Sequence, residues 1–360
     1  MHQGIVKENG IVDTARLITD PADLQTVPSD DGLHLDNFHP GNFEWWYFDI
    51  MDEETGCILK IVAHLGTDPL RRKFLPQLAF SVKVPDVNTA FAHLCELEEF
   101  KAAHDECNVK IAQKFHCYGK NNTYHIWVDI PGFSGEFTFT RQLPGWKPLG
   151  DAVPIEQRKR RAVFGWIIPV PKAAVTGDFT FNGRNYQLRN ASGYHDHNFW
   201  KVGKIRKLFI DDVISKWYWG RFKAGDYIII FMNTHFRNNQ ISSFYISTGK
   251  ELIHSSNNAV QVQIVEQKLD RKLKCSYPVK SLIRSLKEPR TFQLVLKTRE
   301  VLDRKDLLAG VNPFLGFLIK TLVSRPAYLG LKADCHLIKN DQNIHGKGIF
   351  ELMLFRNRVV

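Results

Sequence analysis

Apolar and polar residues alternate along most of this chain, and the alternation sets in at Phe43. Phe43–Met51 and Cys57–Leu65 flank the turn formers Asp52–Gly56, and Gln77–Val84 puts Leu78, Phe80, Val82 and Val84 on one side. Val109–Phe115, Tyr124–Ile130 and Gly135–Arg141 repeat the pattern. A period of two marks half-buried strands, because successive side chains point to opposite faces. Gly119–Asn122 and Pro131-Gly132 separate these runs, and Pro144–Pro148 reads as a connector. Trp166–Val170, Ala174–Phe181 and Tyr186–Arg189 follow, the last two joined by Asn182-Gly183. That dipeptide is the strongest hairpin signal in the chain, since both residues tolerate positive φ.

The rhythm resumes in Trp217–Phe222, Tyr227–Thr234, Ser242–Ser247, Val260–Glu266, Leu273–Val279, Thr291–Lys297, Lys332–Lys339 and Gly348–Phe355. Ala90–Cys107 reads as a strand and a loop, and a helical piece is expected within Val301–Leu322. Residues 1–32 read as an extension, with turn formers at Asp20-Pro21 and Pro28–Gly32. Many short, evenly spaced strands predict an all-β sandwich or barrel, and 360 residues suffice for two barrels or one large double sheet.

Composition narrows the function classes. The net charge of +10 is dispersed, which favours a basic protein without a nucleic-acid role; contact with an anionic membrane surface is the alternative use of that charge. The dense block Gln157–Arg161 reads as a solvated loop between strands. Six cysteines are scattered with no CxxC pair, which argues against a zinc ribbon and for free, buried thiols in a reducing compartment. The N-terminal residues lack the apolar core of a secretory signal, and no run reaches the ~18 apolar residues of a membrane span. The expected location is the cytoplasm, with peripheral membrane contact as the variant. The apolar run Pro313–Ile319 reads as a packed helix in preference to a membrane-surface segment. No phosphate-binding glycine loop, nucleophile elbow or nucleic-acid motif is present.

Candidate chemistry gathers in three aromatic runs. Tyr194-His195-Asp196-His197-Asn198-Phe199-Trp200 sets two histidines around a carboxylate. On a strand His195 and His197 share a face, but zinc needs further protein ligands and no second histidine pair stands out, so no metal is expected. Acid–base use, with a carboxylate orienting or tuning an imidazole, fits better. In Lys216–Phe222, Trp217 and Trp219 share a face and serve either as core or as a cavity wall whose π-faces stabilise a cation. In Glu44–Tyr47, a glutamate at the mouth of an apolar strand needs a partner; Arg221 is the expected one, in a structural role. Trp45 and Trp46 must face opposite ways.

These runs, Glu44–Phe48, Gly193–Asn198 and Trp217–Arg221, together with the ending Gly346–Leu352, resemble the hydroxyneurosporene synthase (carotenoid hydratase) family. The resemblance implies two tandem lipocalin-like β-barrel domains, 33–200 and 201–360, with short helical pieces and a ligand cavity near their junction. It implies cofactor-free chemistry in which an acid protonates an alkene, aromatic faces stabilise the tertiary cation, and water adds. His195, Asp196 and His197 match the acid–base positions, and Trp45, Tyr47, Tyr194, Phe199, Trp217 and Trp219 the substrate-binding ones. Two departures stand out. Phe199-Trp200 replaces the family's Trp-Gly, and the acidic residue expected after the Trp-rich strand falls on Asp226 or is replaced by Asn233. The superfamily also contains lipocalin-like cyclases catalysing Diels–Alder reactions. The expected substrate is a hydrophobic polyene, isoprenoid or polyketide. The leading activity is hydration, a hydro-lyase type of reaction; cyclisation and a non-catalytic lipid carrier are the rivals.

Overall fold

The protein is described here from a computed structural model covering residues 6–7, 11–12, 24–67, 73–150, 152–203, 207–236, 240–248, 251–257, 260–285, 292–306, 326–339 and 342–355. After the two-residue pairing of β1 (Val6–Lys7) with β2 (Ile11–Val12), nearly every element is a strand. The first series is β3 (Phe43–Asp52), β4 (Ile58–Thr67), β5 (Phe74–Val84), β6 (Val87–Leu94), β7 (Phe100–Ala102), β8 (Asn108–Ile111), β9 (Phe115–Lys120), β10 (Thr123–Ile130) and β11 (Phe133–Arg141). It continues with β12 (Val153–Gln157), β13 (Arg160–Phe181), β14 (Arg184–Gln187) and β15 (Ala191–Val202). The short helix α1 (Ile210–Val213) leads into β16 (Ile214–Ala224), β17 (Tyr227–Phe236), β18 (Gln240–Thr248), β19 (Glu251–Asn257), β20 (Val260–Asp270), β21 (Cys275–Ser285), β22 (Gln293–Asp306), β23 (Ala327–Lys339) and β24 (Gln342–Leu354).

Two compact units result. The His-pair unit comprises Leu24–Lys147 and Val163–Val202; the C-terminal unit comprises Pro148–Ala162, Gly203–Val360 and the described residues before Leu24. In the first, the strand order is β6-β5-β4-β3-β15-β13-β11-β10-β9-β8-β7, all antiparallel in the registers described. The sheet curls on itself. Phe91 on the β6 edge meets Phe133 of β11 and Phe181 of β13, and Phe100 on the β7 edge approaches Trp46 of β3. The alternation explains the closure, since inward side chains such as Phe48, Ile61, Phe80, Ile126, Phe137 and Val175 form one continuous apolar core. Asn182 and Gly183 take φ of 49° and 76° between β13 and β14, as their sequence requires.

The C-terminal unit has the order β19-β18-β17-β16-β24-β23-β22-β21-β20. It curls too: the amide of Val260 at the start of β20 donates to Ser242 Oγ on β18, near the opposite end of the order. Its core joins Tyr218, Phe222, Phe231, Phe244, Leu329 and Phe350.

Some expectations need correction. Val301–Asp306 belongs to strand β22, not to a helix; the rest of that segment, with Pro313–Ile319, lies outside the described residues. The block Gln157–Arg161 spans the end of β12, the two-residue turn Arg158-Lys159 and the start of β13, and it is not merely solvated: Arg160 pairs with Asp212 at 2.6 Å and Arg161 with Glu156 at 3.1 Å. All six cysteines are free and buried. No described helix is long and apolar enough to cross a membrane.

Candidate functional site

Strand β15 pairs with β3 in a register that sets Asp196 opposite Tyr47, His197 opposite Trp46 and His195 opposite Phe48. Alternation then divides the His-Asp-His trio between the two faces of the sheet. The histidines point into the curled core and the aspartate points away from it.

On the inner face both imidazoles are completely buried. His195 Nε2 lies 2.9 Å from Asp31 Oδ2, and its Nδ1 lies 3.0 Å from the Tyr47 carbonyl. His197 Nε2 lies 2.8 Å from Glu44 Oε1, and its Nδ1 lies 3.2 Å from Asp31 Oδ1, an ionic contact without hydrogen-bond alignment. Glu44 completes the network. Its Oε1 accepts the His34 amide at 2.8 Å and lies 3.1 Å from His34 Nδ1; its Oε2 accepts the Leu35 amide at 3.1 Å. Within its own unit, Glu44 finds its partners in the His34 amide and ring, the Leu35 amide and His197.

Burial alone would strip the proton from His195, but the adjacent Asp31 carboxylate overrides it and raises the imidazole to about 10. For His197 the same burial penalty is overcome by Asp31 and Glu44, which raise it to about 9. Conversely, burial works against the charged carboxylates, yet His195 and His197 hold Asp31 far below the usual range, and His197 and His34 lower Glu44. The set reads as alternating charges: imidazolium, carboxylate, imidazolium, carboxylate.

A pH prediction follows. The histidine share of stability is fully present below the unfolded value near 6.5 and is lost as pH rises through about 9 to 10. The carboxylate share is present above their ordinary values and lost as pH falls below them. Urea denaturation across pH should show stability falling on both sides of a maximum near pH 5 to 6.5, with the alkaline decline absent from a variant lacking both histidines.

Two trios, Asp31–Cys107–His195 and His34–Glu44–His197, hold ligand atoms within 4.8 Å of one another, close enough for a metal ion. Their 2.8–3.1 Å nitrogen–oxygen contacts are also those of charge-assisted hydrogen bonds, and we read them so. Phe199 belongs to this face: its ring stacks on His34 with centroids 4.0 Å apart, and a Cβ on Gly165 would run into that ring and force it to shift.

The outer face is different in kind. Asp196 Oδ2 accepts the Tyr194 hydroxyl at 2.9 Å and Trp166 Nε1 at 3.2 Å, and its Oδ1 accepts Asn198 Nδ2 at 3.0 Å. The β3 register adds Tyr47 and Trp45 to the same face, with the Tyr47 and Tyr194 rings edge to face at 6.2 Å. A carboxylate oriented by three donors and surrounded by rings can move a proton beside an apolar molecule.

In the C-terminal unit, Tyr218 and Phe222 enter the core, while Trp217, Trp219 and Arg221 take the other face. Glu351 is the cross-strand partner of Trp219, and its carboxylate accepts the Tyr328 hydroxyl at 2.6 Å. Asp226 sits exposed at the turn between β16 and β17, whereas Asn233 is fully buried within β17 opposite Tyr218. Asp31, His34, Trp166, Asn198 and Glu351 are polar partners that the sequence reading did not single out.

No protein-family profile matches the chain, and no curated protein matches its sequence. Solved structures do match over nearly full length. CghA superposes with a TM-score of 0.64 at 13% identity, covering 99% of each chain. The tandem barrels are lipocalin-like. The structure of CghA with Sch210972 gives 0.62 at 13% identity over 97% of each chain. A putative AttH from Nitrosomonas europaea gives 0.60 at 12%, covering 94% of this chain and 99% of that one. Kievitone hydratase from Nectria haematococca gives 0.57 at 10% over 99% of each. Identities this low show the shared fold alone.

Proposed function

We propose that the chain is an enzyme that binds a hydrophobic polyene-like molecule and hydrates one of its alkenes, with Asp196 as the proton-transferring group. The observation that carries this reading is the Asp196 cluster: a carboxylate held by Tyr194, Trp166 and Asn198 on the face of the sheet turned away from the core. A hydratase, kievitone hydratase, shares the fold and adds support.

The proposed reaction is an acid-catalysed addition of water. The protonated carboxyl gives its proton to the less substituted alkene carbon, and a tertiary cation forms on the other. The faces of Tyr47, Tyr194 and Trp45 stabilise that charge. Water attacks the cation, and its surplus proton returns to Asp196, so the net change is the addition of one water. His195 and His197, locked in their ion pairs, are positioning residues that hold β15 against β3. Trp217 and Trp219 are proposed as substrate-binding residues on the C-terminal unit.

Cyclisation is the second reading, favoured by a specific observation: the mid-strand position open to a second acid holds the buried Asn233, and Asp226 is out at a turn. An enzyme that mainly folds a flexible polyene needs positioning more than proton transfer. CghA, solved with Sch210972, shares the fold.

The test is mass spectrometry of products after incubating the purified chain with acyclic carotenoids, squalene-like polyenes and prenylated phenols. A product heavier by one water is expected. An isomer of unchanged mass but altered retention would replace hydration with cyclisation, and binding without any product would leave a carrier.

A further inference from the structure

The hairpin of β20 and β21 stands at the edge of the C-terminal sheet, since β20 ends the strand order. Between Val260 and Ser285 it carries six basic residues, Lys268, Arg271, Lys272, Lys274, Lys280 and Arg284, against two acidic ones. All six are exposed. The acids do little to offset them. Asp270 is buried, accepting Arg304 Nε at 2.6 Å and the amides of Lys272 and Leu273 in its own turn, and Glu266 is paired in register with Lys280. Amid this charge, Leu269 is 58% exposed, the highest value for a large apolar side chain among the described residues, and Val265 is 47% exposed at the bulge where the β20–β21 register shifts.

Edge strands commonly carry lysines and bulges, which discourage pairing with another sheet. That accounts for Lys268 and the bulge. It does not account for Leu269, which a guarded edge would turn inward. An apolar side chain projecting among cations is the composition of a surface that settles on an anionic bilayer, the leucine entering the acyl boundary while lysine and arginine meet phosphate headgroups.

We infer that the β20–β21 hairpin docks the protein on anionic lipid membranes, with Leu269 and Val265 inserted and Lys268, Arg271, Lys272 and Lys274 against the headgroups. The docking stands apart from the proposed reaction, although a water-insoluble polyene would be met at such a surface. A duplex nucleic acid would satisfy the cations equally, but has no use for the exposed leucine.

The experiment is co-sedimentation of the full chain with phosphatidylcholine vesicles, plain or containing about one-third phosphatidylserine. Binding to the anionic vesicles alone is expected, weakening as salt is raised. Leu269→Glu should reduce it about tenfold or more, and Lys272→Glu with Lys274→Glu by a similar factor. Far-UV circular dichroism should show all variants retaining strand structure, since every changed side chain is exposed. Equal binding to neutral vesicles, no binding to either, or anionic binding indifferent to Leu269→Glu would overturn the inference. Retention of all variants on duplex DNA at the expense of vesicles would reassign the patch to nucleic acid.

Discussion

Asp31→Asn is expected to destabilise the His-pair unit by roughly 3–5 kcal/mol at neutral pH. Asp31 is the counter-charge nearest to His195 and stands beside His197, and all three side chains are buried. Asparagine keeps the shape and removes the charge. His195 then stands protonated in the core with no carboxylate, or gives up its proton and with it the stabilisation that the Asp31 charge supplied. His197 keeps Glu44 and suffers less. Denaturant unfolding followed by tryptophan fluorescence measures the loss, and the alkaline decline of stability should shrink with it. Asp31→Asn combined with His195→Gln should recover part of the loss, because the stranded charge is gone. A loss below about 1 kcal/mol would show the network to be incidental to the fold.

Asp196→Asn is expected to lower turnover by roughly a hundredfold to ten-thousandfold while leaving ligand affinity within a few fold. The amide fills the same space and can still accept from Tyr194 and Trp166, so the aromatic surroundings stay in place. What disappears is the group that gives and retrieves the proton. The comparison is with Trp217→Ala and Trp219→Ala, which remove ring surface and no acid. For hydration, Asp196→Asn is the most damaging of the three. If turnover survives it and falls with the tryptophans, the chemistry is positional and the cyclase reading stands. Tyr194→Phe should fall between, because it loosens the carboxylate without deleting it.

The alternation of the sequence carried most of the fold, because a period of two is a local property. Hence the separation of His195 and His197 from Asp196, and of Trp217 and Trp219 from Tyr218, could be read in advance. The partners could not. Asp31 and His34 lie in a stretch of turn formers with no periodicity, and Asp31 is 164 positions from the histidine it binds. No local pattern reports such a contact. Glu44 was legible as a buried charge in need of a partner, but that His197 would be one depends on β15 becoming the neighbour of β3. Between Asp226 and Asn233, the glycine before the aspartate was the available sign of a turn and so of a place outside the strand.

The pairing of β3 with β15 also sets a timetable. Tyr47 and His195 are 148 residues apart, yet the two strands are adjacent and carry Glu44, His195 and His197, while Asp31 and His34 come from the segment just before β3. Closing so long a loop is slow, and its entropy must be met before the contacts form. During synthesis β3 and β4 emerge early, with Glu44 waiting for His197, which leaves the ribosome much later. Segment Pro148–Ala162, which joins the C-terminal unit, is made in between. A nascent chain stopped short of Ala191 therefore lacks the strand that joins β3 to β13. Folding of the His-pair unit is gated by the last strand it receives.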